Sequence, residues 1–203
     1  QPLYFYKDTL NASFKAYIKA PDLDPENMNL YAEIDRTKIN IRNKLYALDS
    51  IIATSKTING SNQASFTSPL ADITATGKFQ YDKIGSSLLQ YVDHYYNVTD
   101  STKRNITPQQ INFEGVVKKH PIVKSFAEGV DYDNIIFKGN YTSTNADSAL
   151  QIKATIPYLL YQTNSVSNGT IDIASHNNQI AGVVNFDTLH VGSYILYKTG
   201  IVA

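Results

Sequence analysis

The 203-residue chain contains no cysteine and a single methionine. Without cysteine it has no disulfide, no thiolate zinc ligand and no cysteine nucleophile, so we expect packing alone to stabilise it. It also lacks a run of about eighteen apolar residues, and no basic segment followed by an apolar one opens the chain, which excludes a transmembrane helix and a signal peptide from the prediction. We expect a segment of a longer protein.

Charge is scarce as well. Charged residues make up 18% of the chain, and 18 Lys and Arg balance 18 Asp and Glu, which gives a net charge of zero and a pI near 7.1. No overall field attracts nucleic acid or an anionic membrane, so the sequence argues against nucleic-acid binding. Asn, Ser and Thr supply much of the polarity instead, a composition typical of β-rich secreted or periplasmic proteins.

Recognisable catalytic motifs are missing too. The chain has no G-x-S-x-G turn, no glycine-rich phosphate loop and no metalloprotease helix, and we predict that it is not an enzyme and has no cofactor. The acidic stretch DLDPEN, residues 22–27, is more typical of a solvated turn than of a calcium loop. Asp131 and Asp133 are interpreted as polar residues at the start of a strand. The histidines have no metal-ligand spacing and are predicted to bind no metal; they are His94, His120, His176 and His190.

Strict alternation of apolar and polar residues is the dominant pattern that is present. It predicts strands with one apolar face. The alternating segments are residues 71–81 (ADITATGKFQY), 11–20 (NASFKAYIKA), 134–141 (NIIFKGNY), 150–156 (LQIKATI) and 180–186 (IAGVVNF). Turn-rich stretches separate the strands, at residues 20–27, 57–62, 142–147, 165–170 and 175–179. Because these connections are short, we expect an antiparallel meander, all in one unit over residues 1–203.

Helical periodicity is confined to two places. From about residue 83 to residue 96 an apolar stripe of Ile84, Leu88, Val92 and Tyr95 predicts one amphipathic helix, lying on the sheet or closing one side of it. A shorter helix is predicted near 121–128, with a proline at its start. One helix can cover little of a broad sheet, so either the sheet folds over on itself or its apolar face stays open for a ligand.

Three long stretches resemble one family. The stretch SFTSPLADITATGKFQYDKIGSSLLQYVDHYYN (65–97) is similar to a recurrent segment of the TamB-type translocation and assembly module proteins, especially the large ones of the Bacteroidota. INFEGVVKKHPIVKSFAEGVDYDNIIFKGNYTS (111–143) is similar to that family's unit of strand, short helix and long strand. LQIKATIPYLLYQTNSVSNGTIDIASHNNQIAGVVNF (150–186) follows it, so the resemblance covers most of the chain.

The resemblance implies an AsmA-like, bridge-type lipid transfer protein: a long sheet curled into a trough with an apolar interior, in the periplasm, anchored in the inner membrane outside this segment. It implies transport of phospholipids between the inner and outer membranes, and a barrel protein of the outer membrane as partner. The side chains expected to contact acyl chains are Phe14, Ile18, Ile73, Phe79, Ile135, Phe137, Tyr141, Leu150, Ile152, Ile156, Ile180, Val184 and Phe186. Four lysines are expected outside in water: Lys15, Lys78, Lys138 and Lys153.

Three alternatives remain open from the sequence. The same residues could meet one another in the core of an ordinary β-sandwich. The strand edges could pair with client β-strands during assembly of outer-membrane proteins. The 15 tyrosines could instead belong to a glycan-binding domain.

Overall fold

The structure is a computed structural model that describes residues 10–96, 107–144, 149–176 and 179–202. Strands dominate it, and the described part of the chain is mainly β with two helices. The strands are β1 (Leu10–Asp22), β2 (Asn29–Ile41), β3 (Lys44–Leu48), β4 (Ile51–Ile58), β5 (Ser61–Thr67), β6 (Ala71–Lys78), β7 (Gln110–Val117), β8 (Val130–Tyr132), β9 (Ile135–Thr142), β10 (Leu150–Tyr161), β11 (Asn164–His176), β12 (Gln179–Val191) and β13 (Tyr194–Val202). The helices are α1 (Ile84–Tyr96) and α2 (Pro121–Phe126).

All thirteen strands belong to one antiparallel sheet. Its main order is β1-β2-β4-β5-β6-β7-β9-β10-β11-β12-β13, while β3 pairs with β2 and β8 with β10. Consecutive strands are therefore mostly neighbours, as short connections require. The sheet is not closed, because β1 and β13 are its edge strands and do not pair with each other. The predicted fold, a mainly β chain whose long antiparallel meander sheet is curled into a trough, is confirmed.

Tight turns set the register of the hairpins. Arg42 and Asn43, between β2 and β3, both have positive φ, as do Asn59 and Gly60 between β4 and β5. Two consecutive positive φ values characterise the hairpin turns whose twist matches that of the flanking strands. The turn predicted at 57–62 is thus confirmed.

The turn predicted at 165–170 is wrong. Strand β11 runs through these residues, and the hairpin turns two residues earlier, next to Gln162 with its φ of 57°. Asn168 explains the misleading signal, because it has a φ of 51° within the strand and is followed by the buried Gly169. Residues that favour turns here mark an irregular position inside a strand.

Both helices lie close to their predicted ranges, and each connects strands at one end of the sheet. Helix α1 follows β6, whereas α2 follows β7 at the opposite end. The α2 helix begins with Pro121, and the Nδ1 atom of His120 accepts a hydrogen bond from the Ile122 N–H at 3.2 Å. This histidine therefore caps a helix. No helix in the described parts of the chain is long and apolar enough to cross a membrane.

Candidate functional site

One row of cross-strand neighbours crosses the whole sheet and is apolar in every strand. We call it the apolar row. Its eleven members, each paired with the next, are Ile18, Ala32, Ala53, Phe66, Ile73, Gly115, Phe137, Ala154, Ile171, Val184 and Ile201. Directly paired residues point to the same side of a sheet, so the row lies on a single face. Ten strand spacings of about 4.8 Å give it a length of about 48 Å along the sheet.

None of the eleven residues is buried. Ile18, Phe66 and Ile201 are exposed, at 68%, 37% and 54%, and the other eight are half-buried. In a sandwich core, a second layer would cover such a row. All described strands lie in one sheet, so the apolar row has no second sheet over it.

A second row lies on the opposite face and consists of one sequence neighbour of each member of the apolar row. We call it the polar row. Its members are Lys19, Tyr31, Thr54, Ser65, Thr74, Glu114, Lys138, Lys153, Asp172, Val183 and Val202. Neighbours within it bond to one another: Thr54 Oγ1 lies 2.6 Å from Ser65 Oγ, and Lys153 Nζ lies 2.9 Å from an Asp172 carboxylate oxygen. The two faces therefore differ in polarity across almost the full width of the sheet.

Phenylalanine rings fill the gaps left by glycines in the middle of the apolar face. A Cβ built on Gly115 would lie 2.7 Å from Cζ of Phe137, and one on Gly139 would lie 2.6 Å from Cζ of Phe113. Each ring thus extends over the glycine of the paired strand, and the two ring centroids are 6.5 Å apart. This arrangement makes the face more even, because a large side chain occupies the space beside a residue that has no side chain.

Helix α1 covers one end of the apolar face and forms the α1 cluster with it. The buried members of this cluster are Phe79, Tyr91, Ile111, Tyr141 and Ala149. Tyr141 is central: its hydroxyl lies 2.6 Å from Ser87 Oγ and donates to the Ser87 carbonyl at 2.9 Å, and its ring meets that of Tyr91 edge to face. Burial raises the pKa of the Tyr141 phenol, an effect that the Ser87 hydrogen bond partly opposes.

The opposite end is covered by α2, which forms the α2 cluster. Ile122 of the helix is 2% exposed and packs with Ile41, Tyr46 and Leu48 of β2 and β3. Charged residues next to this cluster are paired: Asp131 lies 3.0 Å from Lys124 Nζ, and Asp133 lies 3.1 Å from Lys119 Nζ. The hydrogen bond from Lys124 lowers the pKa of Asp131. These carboxylates are thus engaged in ion pairs at the surface.

The residues predicted to contact acyl chains lie partly on the open apolar face and partly in or against the α1 cluster. Ile18, Ile73, Phe137 and Val184 belong to the apolar row. Phe14 is exposed on β1, and five more are half-buried on strands that contribute to the row: Ile135, Ile152, Ile156, Ile180 and Phe186. Leu150, like Ile180, packs against the α1 cluster. Phe79 and Tyr141 are enclosed in the α1 cluster, at 5% and 3% exposure, so their packing is structural.

Sequence reasoning missed more than half of the apolar row. Ala32, Ala53 and Gly115 are too small to mark an apolar face in a sequence, and only the register shows that they belong to it; Ala154 lies in the alternating segment 150–156 but is not among the predicted contacts. Ile171 could have been found, because it alternates with polar residues in TIDIASH, but this stretch lies between the turns predicted at 165–170 and 175–179 and is outside the predicted strands. The four lysines expected in water, Lys15, Lys78, Lys138 and Lys153, are all exposed.

A smaller apolar depression lies on the polar side of the sheet. It has a volume of about 440 Å³ and is formed around Val116 and Ile136, which are cross-strand neighbours. Glu114, Lys138 and Asp72 border it, and it spans three strands. It therefore does not continue along the sheet as the apolar row does.

The described residues contain no group of three or more histidine or acidic side chains that could hold a metal ion. The acidic turn between β1 and β2 bonds to itself: Asp22 accepts a hydrogen bond from the Asp24 N–H and Asp24 accepts one from the Glu26 N–H, both at 2.9 Å. This is the geometry of a turn stabilised by its own carboxylates.

Comparison with known proteins gives no match: no protein-family model, no curated protein and no solved structure is similar to the chain.

Proposed function

We propose that the chain is a non-enzymatic segment of a lipid conduit that carries phospholipids through the periplasm between the inner and outer membranes. The observation that supports this function is the apolar row, which is continuous across eleven strands and buried in none of them. An apolar face of this size on a soluble segment marks a surface that another apolar molecule covers. An acyl chain covers such a face without requiring a specific polar partner.

The energetics fit a ligand that must move. Each methylene transferred from water to the apolar face contributes about 0.8 kcal/mol, wherever along the face it lies. The affinity therefore comes from many equivalent contacts, and a lipid can shift along the row without losing a particular bond. The surface around Gly115 and Gly139 suits this, since the rings beside them occupy the space that a side chain at each glycine would take.

The dimensions agree with this function. The hydrocarbon core of a bilayer is about 30 Å thick, so the acyl chains of one leaflet extend over about 15 Å. The apolar row, at about 48 Å, is longer than one such chain. A row that extends beyond its ligand provides a path, whereas a binding pocket would match the length of its ligand.

The test is to look for lipid on the purified chain. Mass spectrometry of organic extracts should find phospholipid that co-purifies, and the stripped protein should take up fluorescently labelled phospholipid from vesicles. A protein that is consistently free of lipid and also fails to take up the labelled lipid would contradict the proposal.

A second candidate function follows from the two edge strands of the sheet. Strands β1 and β13 each have one side without a strand partner among the described residues, over 13 and 9 residues. Such edges can accept a further β-strand, as an assembly module for outer-membrane proteins requires. Photo-crosslinkers placed along 11–19 and 194–201 should capture client strands under this alternative, whereas the conduit predicts lipid adducts on the apolar row.

A further inference from the structure

Helix α1 meets the sheet through an unexpected side. The residues that point into the α1 cluster are Ser87 and Tyr91, at 1% and 9% exposure. Of the apolar stripe predicted from the sequence, Ile84 also packs against this cluster, whereas Leu88 and Val92, each 38% exposed, and the adjoining Leu89, 60% exposed, do not. A helix that served only to cover the core would turn its leucines toward the sheet. Some other surface must account for this stripe.

The direction of α1 across the sheet follows from its contacts. Just before the helix, the Tyr81 hydroxyl lies 2.5 Å from Ser55 Oγ on β4, whereas Ser87 and Tyr91 contact Tyr141 on β9. The order β4, β5, β6, β7, β9 therefore places the later part of the helix closer to β13. Viewed onto the apolar face with β13 on the right, α1 runs from left to right.

The handedness of the sheet fixes which end α1 occupies. The N–H of Thr142 donates toward β10, to the Ala149 carbonyl, and the N–H of Ser143 donates toward β7, to the Gln109 carbonyl. Tyr141 and Ser143 are two residues apart in an extended segment, so their N–H groups point to the same side. The N–H of Tyr141 therefore points left, toward β7, while its side chain points at the viewer. For L-residues this makes β9 run down the page. The end of β9 that carries Tyr141 is the lower one, so α1 lies below the apolar row.

The position of the leucines then follows from helix geometry. Successive residues of an α-helix are rotated by about 100°, clockwise when seen from the amino end. With Ser87 and Tyr91 pointing into the sheet and the helix running to the right, Leu88 and Val92 point up the page, toward the apolar row. Ser86 and Gln90 lie on the opposite side of the helix, away from the row. The apolar side of α1 thus faces the open part of the sheet.

From this arrangement we infer that Leu88, Leu89 and Val92 form a second wall of the lipid site, and that an acyl chain lies in the angle between α1 and the apolar row. The inference rests on the proposed function and names where in the trough the acyl chain is held. The chain contacts two apolar surfaces at once there, which removes more of it from water than the sheet alone would. The stripe carries no charge that would oppose this.

Because the chain contains no tryptophan, a single indole reports its surroundings without background. Leu88→Trp tests the helix wall, Ser86→Trp is the matched control on the far side of the same helix, and Ile73→Trp reports on the apolar row. The probe is phosphatidylcholine with brominated acyl chains, which quenches an indole in contact with it. We expect the emission of Leu88→Trp and Ile73→Trp to be strongly quenched, and that of Ser86→Trp to be nearly unchanged.

The outcomes separate the two proposals. If Ile73→Trp is quenched and Leu88→Trp responds no more than Ser86→Trp, the inference about the wall is overturned while the conduit stands. If neither Ile73→Trp nor Leu88→Trp is quenched, the proposed function fails as well. Circular dichroism checks that each variant is folded, and Val92→Trp takes the place of Leu88→Trp if that variant is not.

Discussion

The covered ends and the open centre of the apolar face are built from the same alternating strands, yet they differ in burial. Ile111 and Tyr141, under α1, are 8% and 3% exposed, whereas Ile73 and Ile171, on the neighbouring part of the face, are only half-buried. The strands themselves do not cause this difference. It depends on whether a helix lies over them, so the covered parts of this surface contribute packing, and only the open part is proposed to bind a ligand.

The largest effect on stability is expected at the covered end. Tyr141→Ala removes a buried ring that contacts both Tyr91 and Ser87, and it should lower the free energy of unfolding by about 3–5 kcal/mol. Ile171→Ala in the apolar row should cost about 1 kcal/mol, because that side chain is already partly in water. Urea unfolding measures both. Equal costs would mean that the two regions are packed alike.

Glycine positions offer the next comparison. Gly77 has a φ of 144°, and a Cβ there would clash with the Gln110 carbonyl. We expect Gly77→Ala to destabilise the protein by about 1–3 kcal/mol. Gly85 in α1 has open space around its Cα, so Gly85→Ala should instead stabilise by about 0.5–1 kcal/mol. Thermal melts of the two variants should therefore shift in opposite directions, and a loss of stability in both would contradict this interpretation.

A buried charge distinguishes the open centre from a closed core. Ile73→Asp places a carboxylate where water can still reach it, so the fold should survive with a loss of about 1–2 kcal/mol while lipid uptake is blocked. Thr74→Asp, one residue away in the polar row, is the matched control and should leave uptake unchanged. Ile111→Asp under α1 should unfold the protein. A folded Ile73→Asp variant with normal uptake would remove Ile73 from the lipid path.

The smallest effect concerns an exposed ion pair next to the α2 cluster. Lys124 lowers the pKa of Asp131, so the folded-state pKa lies below the unfolded one. The pair therefore stabilises the fold above the unfolded pKa, near 4, and the contribution is lost as the pH falls through the folded value. Asp131→Asn should flatten the acid side of the curve of urea midpoint against pH. Lys124→Gln should flatten it less, because Lys119 Nζ also lies 3.5 Å from Asp131 and lowers its pKa, and the double variant should behave as Asp131→Asn alone.

The sequence predicted the elements well where its periodicity was long and regular. Residues 71–81 alternate without interruption and contain β6, and the range predicted for α1 differs from the observed one by a single residue. Prediction failed where local chemistry was ambiguous: SVSNGT reads as a turn, but the neighbouring strands β10 and β12 hold it within β11. Pairing on both sides outweighed the local preference for a turn.

The sequence alone determined that this chain has one apolar face, because a period of two requires side chains to alternate between the faces of a sheet. Only the tertiary structure decided which parts of that face stay open. Register brought small residues such as Ala53 and Gly115 into line with Ile73 and Phe137, and this pairing joins residues far apart in the chain. Likewise, the hydrogen bonds between Tyr141 and Ser87 hold α1 in an orientation in which Leu88 and Leu89 are exposed. Periodicity within one segment contains no information about the partner it meets.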